Sequence, residues 1–111
     1  MRVYKILSRA EWDAAVAVGH FAGSAVDLKD GFIHLSTAEQ AGETAHKHFG
    51  GQTGLVIVGF EAEALDLTWE PSRGGALFPH LYGPLPTASA VSVDEAPLGP
   101  DGAPVLPPLA P

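Results

Sequence analysis

All ten prolines of this 111-residue chain follow residue 70, and this placement is the strongest constraint on the fold. Proline lacks a backbone N–H, so it can neither donate to a sheet nor sustain a helix. Glycines and prolines after Trp69 favour short antiparallel strands over parallel strands joined by helices. We therefore predict two helices in the N-terminal half and mostly antiparallel strands, which together make an α+β fold.

The C-terminal segment, residues 97–111, contains six of the ten prolines. Such a segment can neither donate regularly to a sheet nor sustain a helix. We predict a single domain at residues 1–96, which agrees with the usual size of domains, followed by a Pro-rich tail. Loose docking of this tail is the expected state, and recognition by a partner domain is the alternative.

The two helices are predicted from their capping sequences. Ser8 is followed three residues later by Glu11, which makes a capping box, and Gly19 is suited to end the first helix in a left-handed conformation. Three residues are assigned to one face of this helix: Trp12, Ala15 and Val16. The second helix is predicted over residues 38–49, because capping hydroxyls precede it and two glycines follow it.

Short runs rich in apolar and β-branched residues predict the strands. The run Leu55–Phe60 is the clearest of them and is predicted to be central in its sheet. Residues 21–28 are assigned to a loop or a short strand. The other strands are assigned to four runs: Val3–Leu7, Phe32–Leu35, Leu65–Trp69 and Ala90–Val93.

The net charge of −7, from 13 acidic and 6 basic residues, restricts the partners of the chain. A surface of this sign repels phosphate backbones, so nucleic-acid binding is not expected. The chain has no apolar run of about 18 residues, so no membrane partner is expected. The lack of cysteine excludes disulfides and thiol chemistry and fits a cytoplasmic location. Composition does not decide the oligomeric state.

His34 is the first candidate for chemistry, because it lies at the end of a predicted apolar strand. An imidazole both donates and accepts hydrogen bonds and can transfer a proton near neutral pH. Strand alternation places His34 on the same face as Phe32. Two roles are therefore open: a catalytic or ligand-binding histidine, and a hydrogen-bonded histidine of the core.

Ser36 and Thr37 follow His34 and are suited to two roles. One hydroxyl is expected to cap the second helix, which stabilises the protein by about 1 kcal/mol. The other can face a ligand, because the first N–H groups of a helix have no partner within it and attract anions. Both residues are therefore candidates for ligand binding.

A second polar segment, residues 69–85, holds the other candidates. Glu70 and Arg73 lie in a loop that contains glycine, and they form either a surface ion pair or a site for phosphate or carboxylate. His80 and Tyr82 lie two residues apart, so both face the same side of a strand. Tyr82 can stack on a planar ring, and its alternative role is to close the core.

No metal site is expected from the sequence. His34, His80 and Glu70 carry metal-ligating groups, but the chain has no spaced metal motif such as HExxH. The patterns of phosphate-binding P-loops, Rossmann folds and nucleophile elbows are also missing. Motifs with a known mechanism therefore do not assign a reaction to this chain.

Five segments of the chain resemble a bacterial family, domain of unknown function 952. The resemblance extends over about residues 1 to 95. The segments are YKIL (Tyr4–Leu7), EWDAA (Glu11–Ala15), DGFIHLSTAEQ (Asp30–Gln40), WEPSRGG (Trp69–Gly75) and LFPHLYGPL (Leu77–Leu85). This family resemblance implies no established activity.

The family is in turn similar to the ADP-ribosyltransferase superfamily, whose relatives include RNA 2′-phosphotransferases. The resemblance implies two small, mostly antiparallel sheets around a cleft that binds NAD. It also implies a strand histidine that binds a ribose hydroxyl, matched here by His34 with Ser36 two residues on. Tyr82 is the candidate for stacking on nicotinamide. Glu70 or Glu95 is the candidate for stabilising the cationic ribose.

These observations lead to one main hypothesis and one alternative. We expect a cytoplasmic domain with a cleft for an NAD-like nucleotide, in which His34 and Glu70 are catalytic. Five residues are expected to bind the ligand: Ser36, Thr37, Arg73, His80 and Tyr82. NAD is the implied cofactor. The alternative is a non-catalytic module that binds a metabolite or a protein.

Overall fold

The chain folds into an α+β architecture, which confirms the predicted class. The structure is a computed structural model and describes residues 1–72 and 74–111. Within these residues the helices are α1 (Arg9–Val18), α2 (Ala25–Asp30) and α3 (Ala38–His48). The strands are β1 (Arg2–Ser8), β2 (His20–Phe21), β3 (Ile33–His34), β4 (Ser36–Thr37), β5 (Leu55–Glu61), β6 (Leu67–Ser72), β7 (Ala76–Leu81), β8 (Leu85–Pro86) and β9 (Ala90–Glu95).

The strands of the described residues form three antiparallel sheets, not the two expected from the resemblance. The largest has the order β4–β1–β5–β9, and a three-stranded sheet has the order β3–β7–β6. Strands β2 and β8 form a separate pair, two residues long on each strand. Pro84 and Pro86 cannot donate hydrogen bonds, which opposes a longer ladder at this point. The predicted central position of Leu55–Phe60 is confirmed, since β5 lies between β1 and β9.

Helix α1 agrees with its predicted boundaries. Ser8 Oγ accepts a hydrogen bond from the N–H three residues later, at 3.0 Å, and Gly19 ends the helix with a φ of 96°. Trp12 and Ala15 are buried, but Val16 is 52% exposed, so its predicted place on the core face is wrong. The reason is that Val16 lies about 100° around the helix from Ala15, at the edge of the buried stripe.

Helix α2 replaces most of the loop or short strand predicted for residues 21–28, and it is a third helix where two were expected. At its start the N–H of Ser24 donates to Asp27 Oδ2 at 2.9 Å. Gly31 ends it with a φ of 85°, a conformation that favours glycine. Six residues are too few to show a helical pattern, and so short a helix depends on packing against the rest of the protein.

Helix α3, with 11 residues, is the longest helix in the described part of the chain. Its end differs by one residue from the predicted range of 38–49. Thr37 Oγ1 accepts from the N–H of Gln40 at 3.2 Å, and the Gln40 side chain accepts from the N–H of Thr37 at 3.1 Å. No helix among residues 1–72 and 74–111 is long and apolar enough to cross a membrane.

The four-stranded sheet has a hydrophobic cluster on each face. The first cluster includes Trp12 of α1 together with Leu7, Phe21, Ile33, Val58 and Phe60. The second includes Ala41 and Ala45 of α3 together with Tyr4, Ile6, Leu55 and Ile57. Alternate residues of β1 and β5 therefore belong to different clusters, as expected for a sheet that is covered on both sides.

Residues 97–111 lie against the second cluster. Leu106 and Leu109 are partly buried on it, and Tyr4 Oη donates to the carbonyl of Ala110 at 2.6 Å. Burial raises the pKa of the Tyr4 hydroxyl above its ordinary value. The Pro-rich segment thus adds apolar side chains to the core on the α3 side of the sheet.

Candidate functional site

Two histidines face each other on the three-stranded sheet. His34 of β3 is paired with His80 of β7 in the antiparallel register, and their ring centroids are 5.6 Å apart. Directly opposed residues on antiparallel strands project to the same face of a sheet. The two polar segments identified in the sequence therefore meet at one site.

Both ring nitrogens of His34 face carboxylates. Nδ1 is 2.6 Å from Asp27 Oδ1, and Nε2 is 2.9 Å from Asp30 Oδ2. The backbone N–H of His34 also donates to Asp27, at 3.1 Å. Because an ionised carboxylate only accepts hydrogen bonds, Asp27 requires a proton on Nδ1 and fixes the orientation of the ring.

A buried lysine completes the surroundings of Asp27. Lys5 Nζ donates to the two carboxylate oxygens, at 3.0 and 2.8 Å, and to the carbonyl of His34 at 3.0 Å. Lys5 and Asp27 are 5% and 2% exposed. Removing either partner would therefore leave a charge in the interior without its counter-ion.

The ionised form of Asp27 is the form that this environment stabilises. Burial raises the pKa of Asp27, but the hydrogen bond from His34 and the charge of Lys5 outweigh burial and hold the pKa well below its ordinary value. Burial lowers the pKa of Lys5, and Asp27 offsets part of that effect. A lowered pKa favours the neutral form of Lys5 but the ionised form of Asp27, so the two shifts disagree about whether an ion pair forms. The carboxylate decides between them, because it also accepts from the backbone N–H groups of Ser24 and His34.

His80 has a carboxylate partner of its own. Its Nδ1 is 2.8 Å from Glu70 Oε1, and the same oxygen accepts from Tyr82 Oη at 2.7 Å. The hydrogen bond from His80, and then that from Tyr82, lowers the pKa of Glu70. The Glu70 carboxylate in turn raises the pKa of the Tyr82 hydroxyl. His80 is buried and Tyr82 is exposed, so the tyrosine forms the rim of the site.

Phe32 lies among these rings. Its centroid is 4.0 Å from that of His80 in a stacked arrangement, 4.6 Å from that of His34 and 5.3 Å from that of Tyr82. A cavity of ≈ 320 Å³ lies beside the cluster and is lined by Asp27 and Phe32 together with His20, Leu28 and Pro84, but His34, Glu70, His80 and Tyr82 do not line it. This volume is near the lower limit for small-molecule sites. The histidine cluster, as we call this group, consists of Lys5, Asp27, Asp30, Phe32, His34, Glu70, His80 and Tyr82.

The predicted site residues fall into three groups. Four of them are brought together in the histidine cluster: His34, Glu70, His80 and Tyr82. Ser36 is buried with its Oγ 2.9 Å from Thr44 Oγ1, so it faces α3, and Thr37 caps that helix. Arg73 lies outside the described residues. Glu95, the other candidate glutamate, lies on β9 with its Oε1 3.9 Å from an Arg9 nitrogen.

Four residues of the histidine cluster are not among the predicted site residues: Lys5, Asp27, Asp30 and Phe32. Lys5 carried a usable signal, because a lysine within an apolar strand requires a partner if it is buried. Asp27 follows Ser24 by three residues, which is the spacing of a capping box. The spacing of four residues between Asp30 and His34 is too common to identify their contact.

The cluster provides three carboxylate–histidine contacts and a phenol, but no preformed metal site. Among residues 1–72 and 74–111, no group of three His, Asp or Glu side chains is arranged to hold a metal ion. Paired imidazoles and carboxylates can bind hydroxyl groups and transfer protons. The chemistry that the described side chains support directly is therefore hydrogen bonding, proton transfer and stabilisation of positive charge.

The environment of Asp27 predicts a loss of stability in acid. Its pKa is lower in the folded protein than in the unfolded chain, so between the two values the unfolded state binds more protons. Its stabilisation is fully present above about pH 4 and is lost as the pH falls toward the folded pKa. We expect about 1 kcal/mol less unfolding free energy at pH 3 than at pH 6, measured by urea denaturation. Equal losses in the wild type and Asp27→Asn would contradict this assignment.

The capping role of Thr37 predicts a local stability effect. Replacing Thr37 by alanine removes the acceptor for the Gln40 N–H and should lower the unfolding free energy by about 1 kcal/mol. Thermal or urea denaturation measures the change. The exposed Thr53 provides the matched control, because Thr53→Ala removes the same groups outside any helix. Equal effects of the two substitutions would rule out the cap as the cause.

Comparisons with known proteins identify close structural relatives. The family model described as protein of unknown function (DUF952) matches residues 6–93. The chain is 60% identical to protein CC0527 from Caulobacter crescentus, and the match to its crystal structure has a TM-score of 0.91 and covers 94% of this chain and 93% of that one. The solution NMR structure of CC0527 matches at 61% identity and a TM-score of 0.84, covering 93% and 90%. No curated protein matches the chain.

Proposed function

The chain belongs to the DUF952 family of proteins of unknown function, and we propose that its histidine cluster binds an NAD-like nucleotide at the nicotinamide ribose. One observation carries the proposal. His34, Glu70 and Tyr82 are distant in the sequence and belong to one cluster, linked through His80 and Phe32. These are the three residue types that the superfamily resemblance implies for ribose binding, charge stabilisation and ring stacking.

The charges of the cluster support a ligand with a cationic ring. Among the described residues, Asp27, Asp30 and Glu70 supply three carboxylates, against the ammonium of Lys5 and the imidazolium that His34 forms when it donates to Asp27 and Asp30 together, so one negative charge remains in excess. The nicotinamide ring of NAD carries a positive charge until its bond to ribose breaks. An acidic site with the exposed ring of Tyr82 favours such a group through Coulomb attraction and cation–π contact.

The reaction that we propose is dissociative cleavage of the bond between nicotinamide and ribose. The bonding electrons leave with nicotinamide, which becomes neutral, and the ribose carbon becomes cationic. Glu70 stabilises that developing charge, because an oriented carboxylate needs no rearrangement as the cation forms. Water then adds to the carbon, and a carboxylate or imidazole of the cluster accepts the released proton.

Glu70 is better suited to this role than Glu95. Its orientation is restrained by the hydrogen bonds from His80 and Tyr82. Glu95 is on an edge strand of the four-stranded sheet, and its side chain is largely exposed beside Arg9. An exposed glutamate with a distant ion pair is neither oriented nor desolvated, so it contributes little to stabilising a cation.

Calorimetric titration with NAD, ADP-ribose and nicotinamide riboside tests the proposal. We expect NAD and nicotinamide riboside to bind more tightly than ADP-ribose, because ADP-ribose lacks the cationic ring. His34→Ala should weaken NAD binding at least about tenfold, the size expected for a lost hydrogen bond to a charged or buried group. His46→Ala, an exposed histidine of α3, is the matched control. The proposal fails if millimolar NAD does not bind to the wild type.

A non-catalytic binding module is the second candidate. Glu70 Oε1 already accepts two hydrogen bonds, from His80 and Tyr82, which reduces the negative charge available to a transition state. Such a network can hold a metabolite without turnover. Incubation with NAD and chromatographic detection of free nicotinamide separates the two candidates: binding without release of nicotinamide favours the module.

A further inference from the structure

Asp30 occupies the position on His34 that a ligand would take. Its Oδ2 is 2.9 Å from His34 Nε2, and its side chain is 40% exposed. The other nitrogen of His34 is engaged by the buried Asp27, so Nε2 is the nitrogen directed toward the more exposed side of the cluster. A ligand that binds His34 at this atom must therefore either displace Asp30 or bind between the two groups.

Without its contact to His34, Asp30 would be a carboxylate at an unfavourable position in the chain. It is the last residue of α2, where backbone carbonyl groups without helical partners face outward. Negative charge at a helix C-terminus is destabilising, although the effect is small for a helix of six residues. The ion pair with His34 is thus the interaction that accounts for an acidic residue at this point.

We propose that Asp30 is a specificity-determining residue, which together with His34 selects a hydroxyl group and excludes an anion. This rests on the proposed function only in taking His34 as a ligand-binding residue. The 2.9 Å contact is a hydrogen bond from Nε2 to Asp30 Oδ2 in the form of His34 that carries a proton on each ring nitrogen. A hydroxyl inserted there accepts from Nε2 and donates to Asp30, so one hydrogen bond is replaced by two and neither group is left unsatisfied.

An anionic group cannot make this exchange. A carboxylate, sulfate or phosphodiester oxygen accepts from Nε2 but has no proton for Asp30, so two negative groups would come into contact. The nearby carboxylate of Glu70 adds to the repulsion, while the charges of Lys5 and Asp27 offset each other. The ligand class that fits this pair is therefore a polyol or a sugar with adjacent free hydroxyls.

The test uses NMR titration, with the His34 ring signals as the readout. The probes are methyl β-D-ribofuranoside, its 2-deoxy analogue and sulfate, an anion without a proton to donate. The wild type is expected to bind the ribofuranoside about tenfold more tightly than the deoxy analogue, and to bind sulfate more weakly than either. Asp30→Ala should lose the preference for the ribofuranoside. Asp13→Ala, which removes an exposed acid of α1, should retain it.

The conservative variant Asp30→Asn separates hydrogen bonding from charge. Its amide oxygen still accepts from a hydroxyl, so the preference for the ribofuranoside should persist, while sulfate binding should increase at least about tenfold. The inference is overturned if the ribofuranoside does not bind the wild type, if both sugars bind equally, or if Asp30→Ala keeps the preference. Ribofuranoside binding without NAD binding would remove the proposed function and leave this inference standing.

Discussion

The Asp27→Asn variant is expected to lose about 3–5 kcal/mol of unfolding free energy, a large share of the stability of a domain of this size. Asparagine has nearly the same shape as aspartate, but it leaves the ammonium of Lys5 buried without a counter-ion. Its amide also replaces one acceptor with a donor, among groups that all donate. Urea denaturation at pH 7 measures the loss.

Two further variants show whether the ion pair is the cause. Asp13→Asn removes an exposed carboxylate of α1 and should change the stability by no more than about 0.5 kcal/mol. The double variant Lys5→Met with Asp27→Leu replaces the pair with apolar side chains of similar size. It should be more stable than Asp27→Asn, because no charge is then buried alone. A double variant that is less stable than Asp27→Asn would contradict this explanation.

The Glu70→Gln variant is expected to lower kcat for release of nicotinamide from NAD by about 10²–10³-fold. Glutamine preserves the shape of the side chain and removes the charge that stabilises the ribose cation. KM should change little, because that positive charge is greatest in the transition state. Steady-state kinetics over a range of NAD concentrations separate the two constants.

The control for this prediction is Glu95→Gln, because Glu95 is the other glutamate consistent with the sequence. It lies on β9 and is largely exposed, so kcat should stay within about twofold of the wild type, since no proposed step uses it. If Glu70→Gln and Glu95→Gln lowered kcat equally, the loss would reflect a general effect on the protein and not a role of Glu70 in the reaction. A rise in KM with unchanged kcat in Glu70→Gln would make Glu70 a binding residue.

Sequence reasoning was most successful for features that adjacent residues control. The caps at Ser8 and Thr37 each depend on contacts within three residues, so the start of α1 and α3 could be predicted. Helix α2 was missed because its six residues show no periodicity, although Ser24 and Asp27 have the capping spacing. Local signals therefore located two of the three helices among the described residues.

Only some residues of the candidate site could likewise be identified from the sequence. The sequence identified His34, Glu70, His80 and Tyr82 as polar residues in unusual surroundings. It did not identify Lys5 or Asp27, whose pairing depends on strand β1 packing against α2. The number of sheets was also misjudged, because the alternation of side chains along a strand does not specify which strands pair.

By itself, the sequence determined the fold class, the central strand β5 and the caps of two helices, because short-range sterics and hydrogen bonds control these features. Only the tertiary structure decided that His34 lies opposite His80 in the sheet, that Asp27 and Lys5 hydrogen-bond to His34, and that Asp30 contacts His34 Nε2. These contacts join residues on different elements. Their geometry follows from packing of the whole core, which no short segment encodes.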